Sequence, residues 1–490
     1  MVATANSVAA ETTAKDRKTP LSDNLKKITY EFHHVKRFER LLIDVPNDLV
    51  FGTAPRPVEL GFGVEVGGGA VVPEIKYFPL AKNLRDEERA VAAYAKVTRE
   101  LLHHAANLGI PALVLETELP EVACSNPGWG AAITRRQLEL LEHAHEEHGT
   151  KLALRVTVAD TRDVTKGGLR GDGAAGVLES FRANAEAGAH ALSIESFGGK
   201  EVLVHALTRG DLAGVIFATG ILGTSDVRHL WERVVKVCGN LSIPAGDTAC
   251  AHANSAMVLA GGKLTRQISH AFAAVVRAVA AVRSLAAYEA GALGPGKDCG
   301  YENVVVKAIT GFPMSMEGKS SACAHSSLVG NVAMAAADLW SNESVEHVRL
   351  FSGPAPNAFL EMLHYDCELL NAAARGGEAS RMVDFIVSSN QFTDPQALVL
   401  TPASAVRIGG SIVAAGEDPY ARSVAAAREA LAILSENADH LSLPRVERRY
   451  LERMARQLEG LPDNADRFVE DRSAYYEEKL DEYLPKNYGI

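Results

Sequence analysis

Along the middle of the chain, short apolar runs alternate with longer stretches in which apolar residues recur every three or four positions. "IPALVLETE" (110–118), "KLALRVTVAD" (151–160), "ALSIES" (191–196), "GVIFATGIL" (214–222) and "NLSIPAGDT" (240–248) have the length and flanks of buried parallel strands. Between them, "DEERAVAAYAKVTRELLHHAANLG" (86–109), "TRRQLELLEHAHEEHG" (134–149), "GVLESFRANAEAG" (176–188) and "VRHLWERVVKVCG" (227–239) read as helices, several closed by glycine. Strand, helix, strand at about 25–45 residues per unit is the pattern of parallel βα units.

Two architectures fit that pattern, an open doubly wound sheet and a closed (β/α)8 TIM barrel. The polar residues favour the barrel. Glu116 and Glu118, Arg155 and Asp160, Glu195, and Asp247 with Cys250 all follow apolar runs where a parallel strand would exit, and a barrel gathers those ends on one face. "GFGVEVGGGAVV" (61–72) lacks a G-x-G-x-x-G opening a helix, so it reads as a glycine-rich turn near the barrel entrance and not as a dinucleotide site. Beyond about residue 365, "YDCELLNAAARGGEASRMVDFIVSSN" and the stretches after it carry helical periodicity with charged outer faces. The expected organisation is an N-terminal arm over 1–37, a barrel over 38–365 and a helical extension over 366–490, an α/β fold whose additional helical layer is largely C-terminal.

Composition narrows the partners. The chain has 490 residues, 47% of them hydrophobic, and 50 Lys and Arg against 61 Asp and Glu give a net charge of −11. Such a field disfavours nucleic acid and anionic membrane surfaces. The first residues have no apolar core of signal-peptide length, and nothing approaches the roughly 18 uninterrupted apolar residues of a membrane span, so a cytoplasmic location is expected. The six cysteines, at 124, 238, 250, 299, 323 and 367, are too scattered for a disulfide framework. Free thiols, some of them metal-bound, are the expectation.

"GPGKDCGYEN" (294–303) places Cys299 in a glycine-rich turn between a helix-like and a strand-like run. A nucleophilic cysteine would need a base, and His252 or His325 could serve. A second cysteine has a matching setting: Cys250, in "AGDTACAHAN" (245–254), follows a strand-like run. Two thiolates from different rim loops and a carboxylate from another strand end would make a three-ligand zinc set with its fourth position open. No C-x-x-C clusters the ligands locally, so spacing leaves this reading open beside buried structural cysteines.

"LSIESFGGKEV" (192–202), "AGDTACAHAN", the block "RSLAAYEAGALGPGKDCGYENVVVKAITGFPMSMEGKSSACAHSSLVGN" (283–331) and "LWSNESVE" (339–346) resemble the methanol:corrinoid methyltransferase family, the substrate-activating subunit of cobamide-dependent methanol systems. The similarity runs from "DLVFG" (48–52) to the terminal "KNYGI" (486–490). The resemblance implies a TIM barrel with added helices that binds one Zn2+ through Glu195, Cys250 and Cys299. It also implies a corrinoid carried by a separate partner protein and a homodimer core that binds two such partners. Cys124, Cys238, Cys323 and Cys367 receive no assignment; Cys238 reads as helix core and Cys323 as packing near the rim.

Hydroxide is a poor leaving group, so methanol oxygen must be coordinated before a nucleophile displaces the methyl carbon, and zinc with an open position does this as a Lewis acid. Two thiolates and a carboxylate leave the site formally −1, which blunts that acidity. A nearby donor is therefore expected, with Asp247, Asp298 and Tyr301 as candidates; Glu116 and Glu118 could reach the same mouth or pair with Arg155. The cobalamin signature D-x-H-x-x-G does not occur in the sequence, so the corrinoid must come with the partner. Loops 316–331 and 350–359 are candidates for the rim that would meet it. Three rival readings follow from the same residues. One keeps the chemistry on another small O-methyl compound. Another is a non-catalytic zinc scaffold, closed by His252 or His325. The third is a metal-free lyase or isomerase using Glu195 and Lys200, with the glycines of 294–300 holding a phosphate.

Overall fold

The computed structural model describes residues 37–261, 267–318, 329–345, 349–350 and 353–490. Residues 1–36 of the expected arm, and 319–328 of the first rim candidate with Cys323 and His325, lie outside the described residues.

Two antiparallel strands come first, β1 (Thr53–Leu60) and β2 (Val64–Gly68), joined at the glycine-rich turn. Seven parallel strands follow: β3 (Val72–Phe78), β4 (Ala112–Glu118), β5 (Lys151–Val158), β6 (Ala191–Ile194), β7 (Ile243–Asp247), β8 (Ser315–Glu317) and β9 (Leu339–Val345). Their order in the sheet is β7-β6-β5-β4-β3-β9-β8. The stretch Leu293–Asp298 joins the two edges. On one side Leu293 N donates to Pro244 O at 2.9 Å and Gly294 N to Ala245 O at 2.6 Å. On the other, Gly296 N donates to Pro313 O at 3.2 Å and Glu317 N to Asp298 O at 3.0 Å. It is the eighth stave, and with it the ring closes as a (β/α)8 barrel.

The hairpin plugs one end of this ring. Val58, Leu60, Val64 and Val66 are buried against Val72, Val114, Ala153, Ala191, Ala245 and Leu339, which lie in six different strands of the barrel. The apolar seal leaves the opposite end, where the strands exit, as the place where polar groups converge.

Four of the five apolar runs are strands as expected; the run 214–222 is not. It forms the helical turn Leu212–Val215 and the π-helix Ile216–Gly223, buried apart from Ile221. A short continuous apolar run does not distinguish a buried strand from a buried helix. The β-branched run after Cys299 is likewise a helix, Asn303–Thr310, buried throughout.

The helix His270–Glu289 is the only one among the described residues that is long and apolar enough to cross a membrane, and every residue after His270 is buried inside the protein. It packs on helix Thr224–Cys238 of the barrel and on helix Pro419–Glu436 of the C-terminal layer. The periodic stretches after 365 are helices as read, from Ala355–Arg375 to Ala465–Lys479. Side-chain caps set the starts of four of them; the Asp418 carboxylate, for example, accepts from Tyr420 N and Ala421 N.

The closing stave tolerates no side chain at its centre. A Cβ on Gly296 would lie 2.7 Å from Met314 Sδ and 2.9 Å from the Tyr288 hydroxyl. Gly296→Ala is therefore expected to cost about 1–3 kcal/mol by overpacking, seen as a lowered thermal midpoint in calorimetry. An unchanged midpoint would contradict the closed ring.

Candidate metal centre at the barrel mouth

Three consecutive staves deliver three donors to one point. Glu195 follows β6 directly, Cys250 opens the π-helical turn Cys250–Asn254 after β7, and Cys299 follows the closing stave. Their donor atoms all lie within 4.8 Å of one another. The Cys299 thiol donates to Glu195 Oε1 at 2.8 Å, and Asn254 Nδ2 donates to Cys250 Sγ at 3.2 Å and to Cys299 O at 3.2 Å. Cys299 is buried and Cys250 half-buried, whereas the Glu195 side chain stays 30% exposed. A cage of this kind is closed behind and open towards the mouth. Burial, with Cys250 and Glu195 close by, holds the Cys299 thiol well above its ordinary pKa. The proton leaves only when a cation takes its place.

Buried charges tie the three ligand loops to one another. Asp247, at the end of β7, accepts from Ser196 N at 3.1 Å, Ser196 Oγ at 2.6 Å, Thr248 N at 2.8 Å and Trp231 Nε1 at 3.0 Å. Arg283, rising from the buried helix, donates to Ser196 O at 2.5 Å and Thr248 O at 2.8 Å. Glu302, in the Cys299 loop, accepts from Ala249 N at 2.8 Å and Ser284 Oγ at 2.8 Å. The glycines of "SFGGKE" permit close approach. A Cβ on Gly198 would meet the Asp226 carboxylate at 2.3 Å, and one on Gly199, whose φ is +90°, would meet Ala218 O at 2.3 Å.

Beneath the cage the barrel interior is a lattice of ions. Arg155 Nε lies 2.9 Å from Glu74 Oε1, and Lys76 Nζ lies 3.1 Å from Glu118 and 3.3 Å from Asp298. Lys297 Nζ lies 2.9 Å from Glu116, 3.0 Å from Glu118 and 3.0 Å from Glu195, and contacts Asp298 as well. Burial opposes ionisation of Asp298, but the two ammoniums reverse this and hold it far below the usual carboxylate range. Glu116 behaves oppositely: burial and the negative charges of Asp298 and Glu74 outweigh Lys297 and push it up to about 8. Glu74, Glu116 and Asp298 also converge within metal-ligand distance of one another, but Arg155, Lys297 and Lys76 already occupy that space as protein cations.

The structure brings Glu195, Cys250 and Cys299 together and sorts the other candidates. Asp247 is a loop organiser with its oxygens fully engaged, and Asp298 is an ionised lattice member. The Tyr301 hydroxyl donates to Glu317 at 3.2 Å. Arg155 pairs with Glu74, not with Glu116 or Glu118, because β3 and β5 direct both side chains into the sealed interior. His252 cannot close the coordination: Nδ1 bonds Thr219 Oγ1 at 2.9 Å and Nε2 bonds Gly198 O at 3.1 Å. Lys200 is exposed at the start of helix Lys200–Arg209, and the amides of Gly294 and Gly296 bond neighbouring strands, which removes the phosphate-loop reading. Cys238 is buried in its helix, as its periodicity suggested.

Lys76, Asn254, Arg283, Lys297 and Glu302 were not singled out from the sequence. Lys297 and Glu302 lie inside the quoted cysteine motif, and a charged residue in an otherwise small and glycine-rich turn was the available signal. A cavity of about 320 Å³, lined by Glu118, Leu119, Thr157, Ala159, Asp160 and Glu195 among others, opens beside the cage and adjoins a second along Asp160 and Phe197.

A closed barrel that gathers two thiols and one carboxylate at its C-terminal mouth, beside an open cavity, has the layout of an enzyme. The family model of the methanol-cobalamin methyltransferase B subunit matches residues 35–489, so the chain belongs to that family. It is 41% identical over 458 residues to a methanol–corrinoid protein co-methyltransferase of Methanosarcina barkeri, spanning 93% of this chain and 99% of that protein. The crystal structure of the methanol:cobalamin methyltransferase complex MtaBC from Methanosarcina barkeri superposes with a TM-score of 0.90 at 41% identity. That match covers 93% of this chain and all of the other.

Glu116 generates a pH prediction. Its native pKa is raised from 4.5 to about 8, so the native protein binds this proton more tightly than the unfolded chain. The stability it supplies is complete below the ordinary carboxylate value and drains away as pH rises towards 8, a loss on the order of a few kcal/mol. Glu116→Gln cannot titrate. The thermal midpoint of the unsubstituted protein should therefore fall relative to that of Glu116→Gln between about pH 5 and about pH 8; a constant difference across the window would refute the assignment. A second expectation concerns the Glu195 loop: Gly199→Ala should cost about 1–3 kcal/mol of stability, read as a lowered thermal midpoint, and an unchanged midpoint would contradict the close approach to Ala218.

Proposed function

We propose that the chain is the methanol-activating subunit of a corrinoid-dependent methyl transfer, with one Zn2+ held by Glu195, Cys250 and Cys299. The convergence of these three side chains from three adjacent strand ends, with one side left open, carries the proposal. Two thiolates and one carboxylate with a vacant fourth position suit zinc, whose catalytic sites take three protein ligands. When bound, the metal supplies a Lewis acid at the methanol oxygen. Overall, the methyl group passes from methanol to cobalt(I) of a corrinoid on the partner protein, and the oxygen departs with a proton as water.

This chain's residues supply the rest. Asp247, Arg283 and Glu302 fix the three loops, and the apolar hairpin seals the far end against water. Of the candidate proton donors, Asp298 is ionised, whereas Glu116 keeps its proton at neutral pH and is separated from Glu195 only by the Lys297 ammonium. Glu116 is therefore the carboxyl best placed to hold the proton that the departing oxygen needs. The cavity beside Glu195 is about ten waters in volume, far more than methanol fills, which suits approach of a large cofactor from outside.

The same proposal includes a cytoplasmic enzyme, consistent with five described cysteines that are all free. It also includes a homodimeric core. Met362, Tyr365 and Leu369 recur at helical spacing as an exposed stripe on helix Ala355–Arg375, the kind of surface a second copy covers.

The test is metal content per chain together with methanol-dependent methylation of cob(I)alamin. The unsubstituted protein should carry close to one zinc. Glu195→Gln, Cys250→Ala and Cys299→Ala should lose the metal and at least about 100-fold in rate. Full zinc in any of the three, or methylation by metal-free protein, would overturn the proposal.

A further inference from the structure

Lys297 touches the metal cage without being a donor to it. Its side chain is fully buried, and its ammonium lies 3.0 Å from Glu195 Oε1 while also meeting Glu116 at 2.9 Å and Glu118 at 3.0 Å. It thus bridges the barrel's interior lattice and a ligand of the cage.

Two consequences follow from its position. The first is geometric. Two groups among the described residues fix the Glu195 carboxylate, the Cys299 thiol at 2.8 Å and Lys297. A metal that binds Cys299 displaces the thiol proton, so that hydrogen bond is lost on loading. Lys297 is then the remaining donor that orients a side chain which is otherwise 30% exposed. The second is electrostatic. Two thiolates and a carboxylate exceed the charge of a divalent ion by one, and the excess weakens its pull on a substrate oxygen. The Lys297 ammonium sets a positive charge beside that excess, shared with Glu116, Glu118 and Asp298.

We propose that Lys297 is a positioning residue of the metal centre: from its place in the barrel's interior lattice it holds Glu195 in its ligating orientation. The inference rests on the zinc assignment above. It predicts that the contribution of Lys297 to metal binding passes through Glu195.

Lys297→Met alone would also strip the counter-charge from Glu116, Glu118 and Asp298. The test therefore keeps Glu116→Gln throughout, so that the group 2.9 Å from the ammonium carries no charge in any member of the cycle. On that background Lys297→Met, Glu195→Gln and both together complete a double-mutant cycle on the full-length protein. Zinc affinity is read by chelator competition, and the cobalt(II)-loaded proteins are compared by absorption. Lys297→Met should weaken zinc binding at least about tenfold and alter the cobalt spectrum where Glu195 is intact. It should have less than about a twofold effect on the Glu195→Gln background. Lys297→Arg, which retains the charge and the lattice, should keep full zinc content. Equal effects on both backgrounds, no effect on either, or zinc loss in Lys297→Arg would overturn the inference while leaving the zinc assignment intact. Failure of the unsubstituted protein itself to take up zinc would count against the zinc assignment instead.

Discussion

Pairing of buried charge at the exit end of the barrel is the constraint on which the rest of this structure depends. Barrel interiors are ordinarily filled by layers of branched apolar side chains. Here Arg155, Lys76 and Lys297 occupy that space, and each would cost several kcal/mol if left without a counter-ion. Apart from the contact of Lys297 with its neighbour Asp298, the pairs cross between staves: Arg155 of β5 meets Glu74 of β3, Lys76 of β3 meets Glu118 of β4 and Asp298 of the closing stave, and Lys297 meets Glu116 and Glu118 of β4. The lattice can form only if all these strands keep their register. It is therefore a reason for one arrangement of the ring and not merely a decoration of it.

The same physics extends upward into the loops. Asp247, Arg283 and Glu302 are buried, and the groups that satisfy them include backbone and hydroxyl groups of the segments carrying Glu195 and Cys250, together with Trp231 and Ser284. Positions that a metal must find within tenths of an ångström are thus set by hydrogen bonds that cannot be exchanged for water. The hairpin's apolar plug makes this economical, because it keeps solvent from reaching the lattice from below. A rigid cage over an open cavity is what a reaction needs when its second reactant arrives on another protein.

Much of the barrel was legible because β4, β5, β6 and β7 are continuous apolar runs with polar residues at their exits. The staves that escaped notice are those carrying the lattice. β3 contains Glu74 and Lys76, β8 ends in Glu317, and the closing stave holds Lys297 and Asp298, so none reads as an apolar run. Conversely, 214–222 is apolar enough for a strand and is a π-helix packed against Gly199 and His252. The three ligands were recognisable through motif resemblance. Their convergence was not, since 55 residues separate Glu195 from Cys250 and only the fold closes that gap. Lys297 could be noticed as a lysine near a cysteine, but three of its four carboxylate partners, Glu116, Glu118 and Glu195, come from elements far from it in the chain.

The most direct test of this view is X-ray absorption at the zinc edge on the full-length protein, with and without methanol. A mononuclear zinc with two sulfur neighbours at about 2.3 Å and lighter atoms at about 2.0–2.2 Å, the light-atom shell changing when methanol is added, is the predicted result. A zinc ringed by four protein ligands and indifferent to methanol, or a shell without two sulfurs, would contradict it.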